Sequence, residues 1–445
     1  MPSAKGLRGV LRSGPLLLML GLGSMAVSMA GPSLGLTGAS GGAITDSPKE
    51  VIDQVWQIVF RDYLDSTGAY SDARWRQLRK DLLARSYAGD EESYEAIKGM
   101  LASLDDPYTR FLDPKEFKEM RIDTSGELMG VGIQLSLDKD TKELIVVSPI
   151  EGTPASRAGV QPKDVIVSID GAPTKGMTTE DAVKLIRGPE GTEVILGLRR
   201  KGVVLNVSLT RARIEIHAVK KALNTSANGS KIGYIRLKQF NANASREMRA
   251  AIQDLDEQGS QGYVLDLRSN PGGLLEASID IARQWLNEGT IVSTRTREGI
   301  RDVRRATGSA ITDKPMVVLI DQGSASASEI LSGALQENKR AQLVGQKTFG
   351  KGLVQAVRGL SDGSGMTVTI AKYLTPNGTD IHKNGIKPDV EAAMSEKEMR
   401  DFKIENLGTS KDSQYRVAET TLIKVLTMQK NEAYRPGSAN LEAAL

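Results

Sequence analysis

Two stretches of this sequence hold residue types that can do chemistry together. One is Gly323-Ser324-Ala325-Ser326-Ala327-Ser328-Glu329, and the other is Thr348-Phe349-Gly350-Lys351-Gly352-Leu353-Val354-Gln355. The pair suggests a serine nucleophile in the first and its lysine base in the second. The first follows the apolar run Val317-Val318-Leu319-Ile320 and enters a helical pattern through Ile330, Leu331, Ala334 and Leu335. A buried strand that turns through small residues into a helix leaves the turn at the helix N-terminus. Unpaired N–H groups and the positive end of the dipole gather there, and an oxyanion can be held there. Ser326 and Glu329 have capping-box spacing, which starts the helix near Ser326. Any of Ser324, Ser326 and Ser328 also suits a plain cap.

A serine hydroxyl needs a base. The chain has two histidines, His217 in the alternating run Ile214-Glu215-Ile216-His217 and His382 in a polar loop. Neither stands in an obvious carboxylate-orienting motif. A lysine base must be neutral, so its pKa must fall several units from about 10.4 through desolvation or a neighbouring cation. Lys351, between two glycines after an apolar strand, suits a side chain drawn inward. Gln355 lies on the extended stretch that follows and is the residue expected to hydrogen-bond the amine. Gly345 to Gly352 spells G-x-x-x-x-G-K-G, but a phosphate-binding loop needs Ser or Thr after the lysine and then a helix. Here Gly352 and the strand-like Leu353-Val354-Gln355-Ala356-Val357 follow, which argues against nucleotide binding.

The runs GSASASEI, TFGKGLVQ and DLRSNPGG resemble the carboxyl-terminal processing peptidases, or tail-specific proteases, of the cyanobacterial and chloroplast type. The resemblance covers most of the chain after Ser47. It implies a Ser-Lys dyad with a nearby Gln: Ser326 as nucleophile, Lys351 as general base, Gln355 as the orienting residue. Glu337 stands where some members carry a functionally important Asp. The resemblance implies a crotonase/Clp-like spiral for the core, and a narrower role in trimming a photosystem II reaction-centre precursor.

Composition narrows the alternatives. Charged residues make up 25% of the 445 and the net charge is +3, which suits a globular protein rather than a nucleic-acid binder. With no cysteine there is no disulfide, thiolate nucleophile or zinc ribbon. Two isolated histidines argue against a transition-metal site. No metal and no cofactor is expected.

The elements that must position these residues follow in order. Lys5, Arg8 and Arg12 precede an apolar stretch from Leu16 to Val27 that ends at Ser28-Met29-Ala30, the anatomy of a secretory signal peptide. It is short for a span of about 20 residues, so export with cleavage is expected over an anchor. The product would reside in the periplasm or thylakoid lumen. Residues 31–46 form a Gly/Ser-rich linker. Residues 47–114 are expected as an N-terminal helical region, with Val51, Ile52, Val55, Ile58 and Val59 on one face, further helices over 72–85 and 91–104, and no chemistry of their own.

Residues 115–212 turn to strand periodicity with one amphipathic helix capped by Thr178. Pro154-Ala155-Ser156-Arg157-Ala158-Gly159-Val160, Asp164-Val165-Ile166 and Asp170-Gly171 make this stretch resemble a PDZ domain. Such a domain captures an extended peptide by strand addition and holds its terminal carboxylate on the N–H groups of a Gly-containing loop. The expected loop is Gly130-Val131-Gly132-Ile133, with Arg187 placed either to sense the bound tail or as a solvated cation. Residues 213–395 alternate strands and helices, an α/β pattern. A second strand–turn–helix unit reaches Ser269-Asn270-Pro271-Gly272-Gly273. Two such turns side by side would offer oxyanion donors from Gly272 or Gly273 and from Ala327. Residues 396–445 are expected as C-terminal helices without chemistry.

The fold expected is therefore multidomain α/β, with an N-terminal helical region, a PDZ-like β domain and a protease core. The activity expected is a serine endopeptidase that needs no nucleotide and cuts near protein C-terminal tails. Two other classes compete. A non-catalytic extracytoplasmic adaptor would break the dyad, and an acyl-CoA enzyme on a crotonase-like fold would need a cytoplasmic address and a carboxylate acid/base.

Overall fold

The computed structural model describes residues 48–433 apart from 139, 140, 300 and 402. The expected export segment, the linker through Ser47 and residues 434–445 lie outside the described residues. The centre is a six-stranded sheet. Lys231–Leu237, Gly262–Asp266, Met316–Ile320, Ala341–Gly345 and Val390–Glu391 run parallel in that spatial order, and Val219–Thr225 pairs antiparallel on the outer edge. The apolar run Met316–Ile320 is buried throughout, as a strand covered on both faces must be. Side chains alternate between the faces. Val318 and Ile320 join the core under the helices Ala244–Glu257, Leu275–Trp285 and Ala327–Glu337, while Val317 and Leu319 meet Tyr415, Ala418 and Leu422 of the helix Ser413–Ala433.

A second sheet orders Arg110–Leu112, Gly365–Leu374, Thr290–Thr296 and Arg301–Arg305, with Leu353–Gly359 also paired to Gly365–Leu374. The helices Pro48–Asp62, Asp72–Ala84 and Asp90–Ala102 share a core with it, in which Val51, Ile52, Val55 and Val59 pack with Ala356, Leu360, Met366 and Val368. The helical region is thus fused to the strand that follows Lys351.

The third unit is an antiparallel sheet of Ile133–Leu137, Leu144–Pro149, Val165–Ile169, Glu193–Arg200 and Val203–Thr210, with helix Thr179–Ile186 against it. Thr178 and Asp181 form a capping box at that helix's start. A two-stranded ribbon, Glu127–Gly130 with Ala212–Glu215, joins this unit to the rest. Ile133–Leu137 is an edge strand. The architecture is multidomain α/β, as the residue pattern implies.

Candidate active site

Gly262–Asp266 and Met316–Ile320 are neighbouring parallel strands, so the turns at their C-terminal ends are neighbours too. A Cβ added to Gly272 would lie 2.9 Å from Ser326 Cβ and 3.0 Å from Ala327 N. Asn270 ties the turns together. Its carbonyl accepts from Ala325 N at 3.1 Å and from Ser328 Oγ at 2.8 Å. Ser324 Oγ donates to Leu267 O at 2.8 Å. The hydroxyls of Ser324 and Ser328 are therefore committed to backbone carbonyls. Ser326 is fully buried at the N-terminus of helix Ala327–Glu337, with φ +56° and ψ −114°. A non-glycine residue there is strained, and such strain persists only where the surroundings impose it.

Glu329 supplies much of that imposition. Its buried carboxylate accepts from Ser326 N at 2.8 Å, as the capping-box spacing implies. It also accepts from Thr348 Oγ1 at 2.6 Å, Gly350 N at 2.7 Å and Lys351 N at 2.8 Å. Burial pushes this carboxyl above its usual range, and the donors from Thr348, Lys351, Ser326 and Gly350 pull against it. Sequence reasoning saw only a helix cap in Glu329. Its hold on the second stretch depends on a contact across 22 residues.

Lys351 is 4% exposed. Burial, followed by the positive charge of Arg110, lowers its pKa from 10.5 to about 8, while Asp106 and Glu329 oppose the shift. The amine sits over the Tyr108 ring, 4.8 Å from its centroid. Tyr373, buried in the strand Gly365–Leu374, donates its hydroxyl to Lys351 O and reaches Ser326 O at 3.2 Å. The loop at His382 closes another side, since a Cβ on Gly352 would meet His382 N at 2.7 Å.

Two expectations need correction here. The N-terminal region is not chemically silent, because the Tyr108 ring lies against the amine and the Arg110 charge bears on it. Gln355 is fully buried, and its Nε2 donates to Thr369 Oγ1 at 3.3 Å while its Oε1 meets no donor. It does not hydrogen-bond the Lys351 amine in this arrangement.

The oxyanion expectation narrows. Gly272 N donates to Asn270 Oδ1 at 3.0 Å, so that donor is spent. Gly273 has φ +143°, and a Cβ there would fall 2.2 Å from Phe240 O. Below this turn, Arg268 is bound by Asp266 at 2.6 Å and by Asp412 at 2.7 Å, with Gln414 Oε1 at 2.9 Å. All four side chains are buried. The C-terminal helix, read as carrying no chemistry, thus braces the turn.

In the PDZ-like unit, Gly132 has φ +78°, and a Cβ there would overlap Thr153. Val131 O accepts from Ala155 N at 2.9 Å and Gly132 O from Ile150 N at 2.8 Å. These bonds hold the loop 130–133 beside the edge strand. Arg187 lies next to it, since its Cγ is 3.9 Å from where a Gly130 Cβ would be. Arg187 also lines a groove of about 430 Å³ with Asp123, Ile122 and Val183. Burial raises the Asp123 carboxyl and the positive charge of Arg187 opposes this; Arg187 itself is half-buried. Glu337 accepts from Asn377 N at 2.6 Å at the far end of its helix. His217 Nδ1 lies 3.2 Å from Glu247 Oε1, and with Glu215 these ligand atoms fall within 4.8 Å of one another. That group is largely solvent-exposed, and Arg246 engages Glu215.

Residues 231–392 match peptidase family S41, and residues 145–200 match a PDZ domain. The chain is 48% identical over 349 residues to the carboxyl-terminal-processing protease of Synechocystis sp., covering 78% of this chain and 81% of that one. It is 43% identical to the chloroplastic carboxyl-terminal-processing peptidase 2 of Arabidopsis thaliana, over 76% of this chain and 67% of that one. Among solved structures, the photosystem II D1 C-terminal processing protease matches with a TM-score of 0.51 and 38% identity, over 78% of this chain and 94% of that one.

Proposed function

This chain belongs to peptidase family S41, with its carboxyl-terminal-processing members, and we propose that Ser326 is its nucleophile and Lys351 its general base. The protein is a serine-type hydrolase with a PDZ domain. Neutral Lys351 takes the Ser326 proton as Oγ bonds to the scissile carbonyl carbon. The N–H groups of Gly273 and Ala327 receive the oxyanion. Lysinium returns the proton to the departing amine, and water then releases the acyl group by the reverse sequence. Gln355 Oε1, buried without a donor, is an acceptor suited to the lysinium ion. The observation that supports this reading best is the shared carboxylate of Glu329, which binds the backbone of nucleophile and base together.

The PDZ-like unit is read as the tail receptor. An extended peptide adds to the open edge Ile133–Leu137, the N–H groups of the loop 130–133 hold its terminal carboxylate, and Arg187 senses the occupied groove. The divisions 47–114, 115–212, 213–395 and 396–445 follow from that assignment. The basic and apolar leader implies export, and the cyanobacterial and chloroplastic relatives favour a periplasmic or thylakoid-lumen setting. Likeness to the protease that processes photosystem II D1 at its C-terminus supports the same class of substrate here, a photosystem II reaction-centre precursor.

Mass spectrometry of protein C-termini, with the active protein and with Ser326→Ala, tests both levels. Expected is a shortened set of termini with the active protein alone. Equal cleavage by both would place the nucleophile elsewhere. Binding of tails without any cleavage by the unmodified protein would leave the adaptor reading. A reaction-centre terminus unchanged among cut substrates would remove only the narrower assignment.

A further inference from the structure

The amine of Lys351 is walled by more than its own sheet. Tyr108 arrives from the N-terminal helical region and is pinned at every backbone step. Asp106 Oδ1 accepts from Tyr108 N at 2.9 Å, and Asp106 Oδ2 accepts from Thr109 Oγ1 at 2.7 Å. Thr367 Oγ1 donates to Tyr108 O at 2.7 Å, and Thr369 N donates to Thr109 Oγ1 at 3.0 Å. Arg110–Leu112 then pairs with Gly365–Thr367. The strand that holds this turn is the same one that carries Tyr373 against Lys351 and Thr369 against Gln355. The ring is thereby set face-on to Nζ, 4.8 Å from centroid to nitrogen, inside the range where an aromatic face attracts a cation.

Taking the Ser-Lys assignment as its basis, we propose that Tyr108 is a working part of the base: its ring face receives the positive charge that Lys351 carries once it holds the Ser326 proton. The charged groups around the amine pull in both directions. Arg110 opposes a cation, while Asp106 and Glu329 favour one. Glu329 is occupied by backbone N–H groups and Thr348, and Asp106 by Tyr108 N and Thr109. Tyr373 offers its hydroxyl to the Lys351 carbonyl rather than to the amine. His382, on the loop against Gly352, lies among Asp380, Lys383, Lys372 and Asp106, and burial lowers its pKa. The ring adds stabilisation that grows with charge on Nζ. It therefore acts on lysinium, the state in which the serine proton has moved, and not on the neutral amine that must take that proton.

The test is kcat and KM against pH for the full chain, with Tyr108→Leu, Tyr108→Phe, and Tyr108 replaced by phenylalanine analogues carrying one, then three ring fluorines. Fluorines drain the ring face while keeping its shape. Expected for Tyr108→Leu is a kcat lower by about tenfold, little change in KM, and an acid limb displaced to lower pH, because lysinium is less stable without the ring. Tyr108→Phe recovers most of the loss, and kcat falls stepwise with fluorine number. A fluorine series with flat kcat overturns the proposal even where Tyr108→Leu fails to fold. So does a Tyr108→Leu limb moved to higher pH, the mark of a pocket merely opened to water. Ser326→Ala and Lys351→Ala run alongside. If those two still cleave, the dyad assignment itself falls; if they are dead and the fluorine series is flat, only the role of Tyr108 is lost.

Discussion

Ser326 and Lys351 each present their backbone N–H to the same oxygen, Glu329 Oε2, at 2.8 Å. One buried anion therefore fixes the distance between two segments that the chain separates by a helix and a strand. Hydrogen bonds to a charged acceptor contribute roughly 1.5–3 kcal/mol each. Glu329→Gln keeps the shape but turns an NH2 toward existing donors. It is expected to destabilise the protein by about 2–4 kcal/mol and to reduce kcat at least hundredfold. Chemical denaturation and peptide-cleavage rates check this, and a variant with normal kcat would detach the carboxylate from the positioning of the pair.

The base should announce itself in the pH profile. With Lys351 as the proposed base, activity needs its neutral form and should rise through about pH 8, not near the value of a free lysine. A limb close to 10 would mean that the working amine is hydrated.

Stability should change in a linked way. Lys351 is charged in both folded and unfolded chains below pH 8, so its burial cost is fully present there. Between about 8 and 10.5 the folded protein releases the proton first, and the cost disappears. Lys351→Met should accordingly be more stable than the parent at pH 7, by up to about 3 kcal/mol from the shift of 10.5 to about 8. The difference should close by pH 10.5. Urea melts across that range give the answer, and a gap independent of pH would sink the explanation.

Adding a methyl group to either glycine of the oxyanion turn should be severe. At Gly272 (φ +105°) it meets Ala325 O at 2.8 Å and Ser326 Cβ at 2.9 Å, and at Gly273 it meets Phe240 O at 2.2 Å. Gly272→Ala and Gly273→Ala are expected to lower kcat by 10²-fold or more, about 3 kcal/mol of lost transition-state stabilisation. Binding of a tail peptide to the PDZ-like unit should be unchanged, which calorimetry can follow beside the kinetics.

Arg268→Met removes the one cation shared by Asp266 and Asp412. Breaking a buried pair this way costs about 3–5 kcal/mol because charge is left uncompensated. Equilibrium unfolding checks the loss; a variant as stable as the parent would show that the two acids do not depend on the guanidinium.

Much of this was legible from residue order. The strand Met316–Ile320, the helix after Ser326, the strand after Lys351 and the capped helix at Thr178 all follow from local periodicity and capping chemistry. The bonds that decide geometry are long-range and left little local trace. Glu329 looks like a cap because its spacing to Ser326 satisfies one, and nothing near it signals Gly350 or Lys351. Tyr108 follows a helix-breaking Asp-Pro step, a setting that predicts a turn but not what the ring will touch. Asp412 lies 144 positions from Arg268, and a lone acid before a helix reads as a cap. Gln355 differs in another way: its place on the stretch after Lys351 suggests a bond to the amine, but its amide donates to Thr369 instead.

The order in which the parts are synthesised carries a lesson. Ser326 and Lys351 leave the ribosome well before Asp412, whose carboxylate secures the guanidinium beneath the Gly-Gly turn. A nascent polypeptide holds the proposed nucleophile early and lacks the brace behind the proposed anion cradle until the helix Ser413–Ala433 docks. A chain terminated ahead of Asp412 loses that bond and is expected to cleave peptides poorly, although Ser326 and Lys351 are intact.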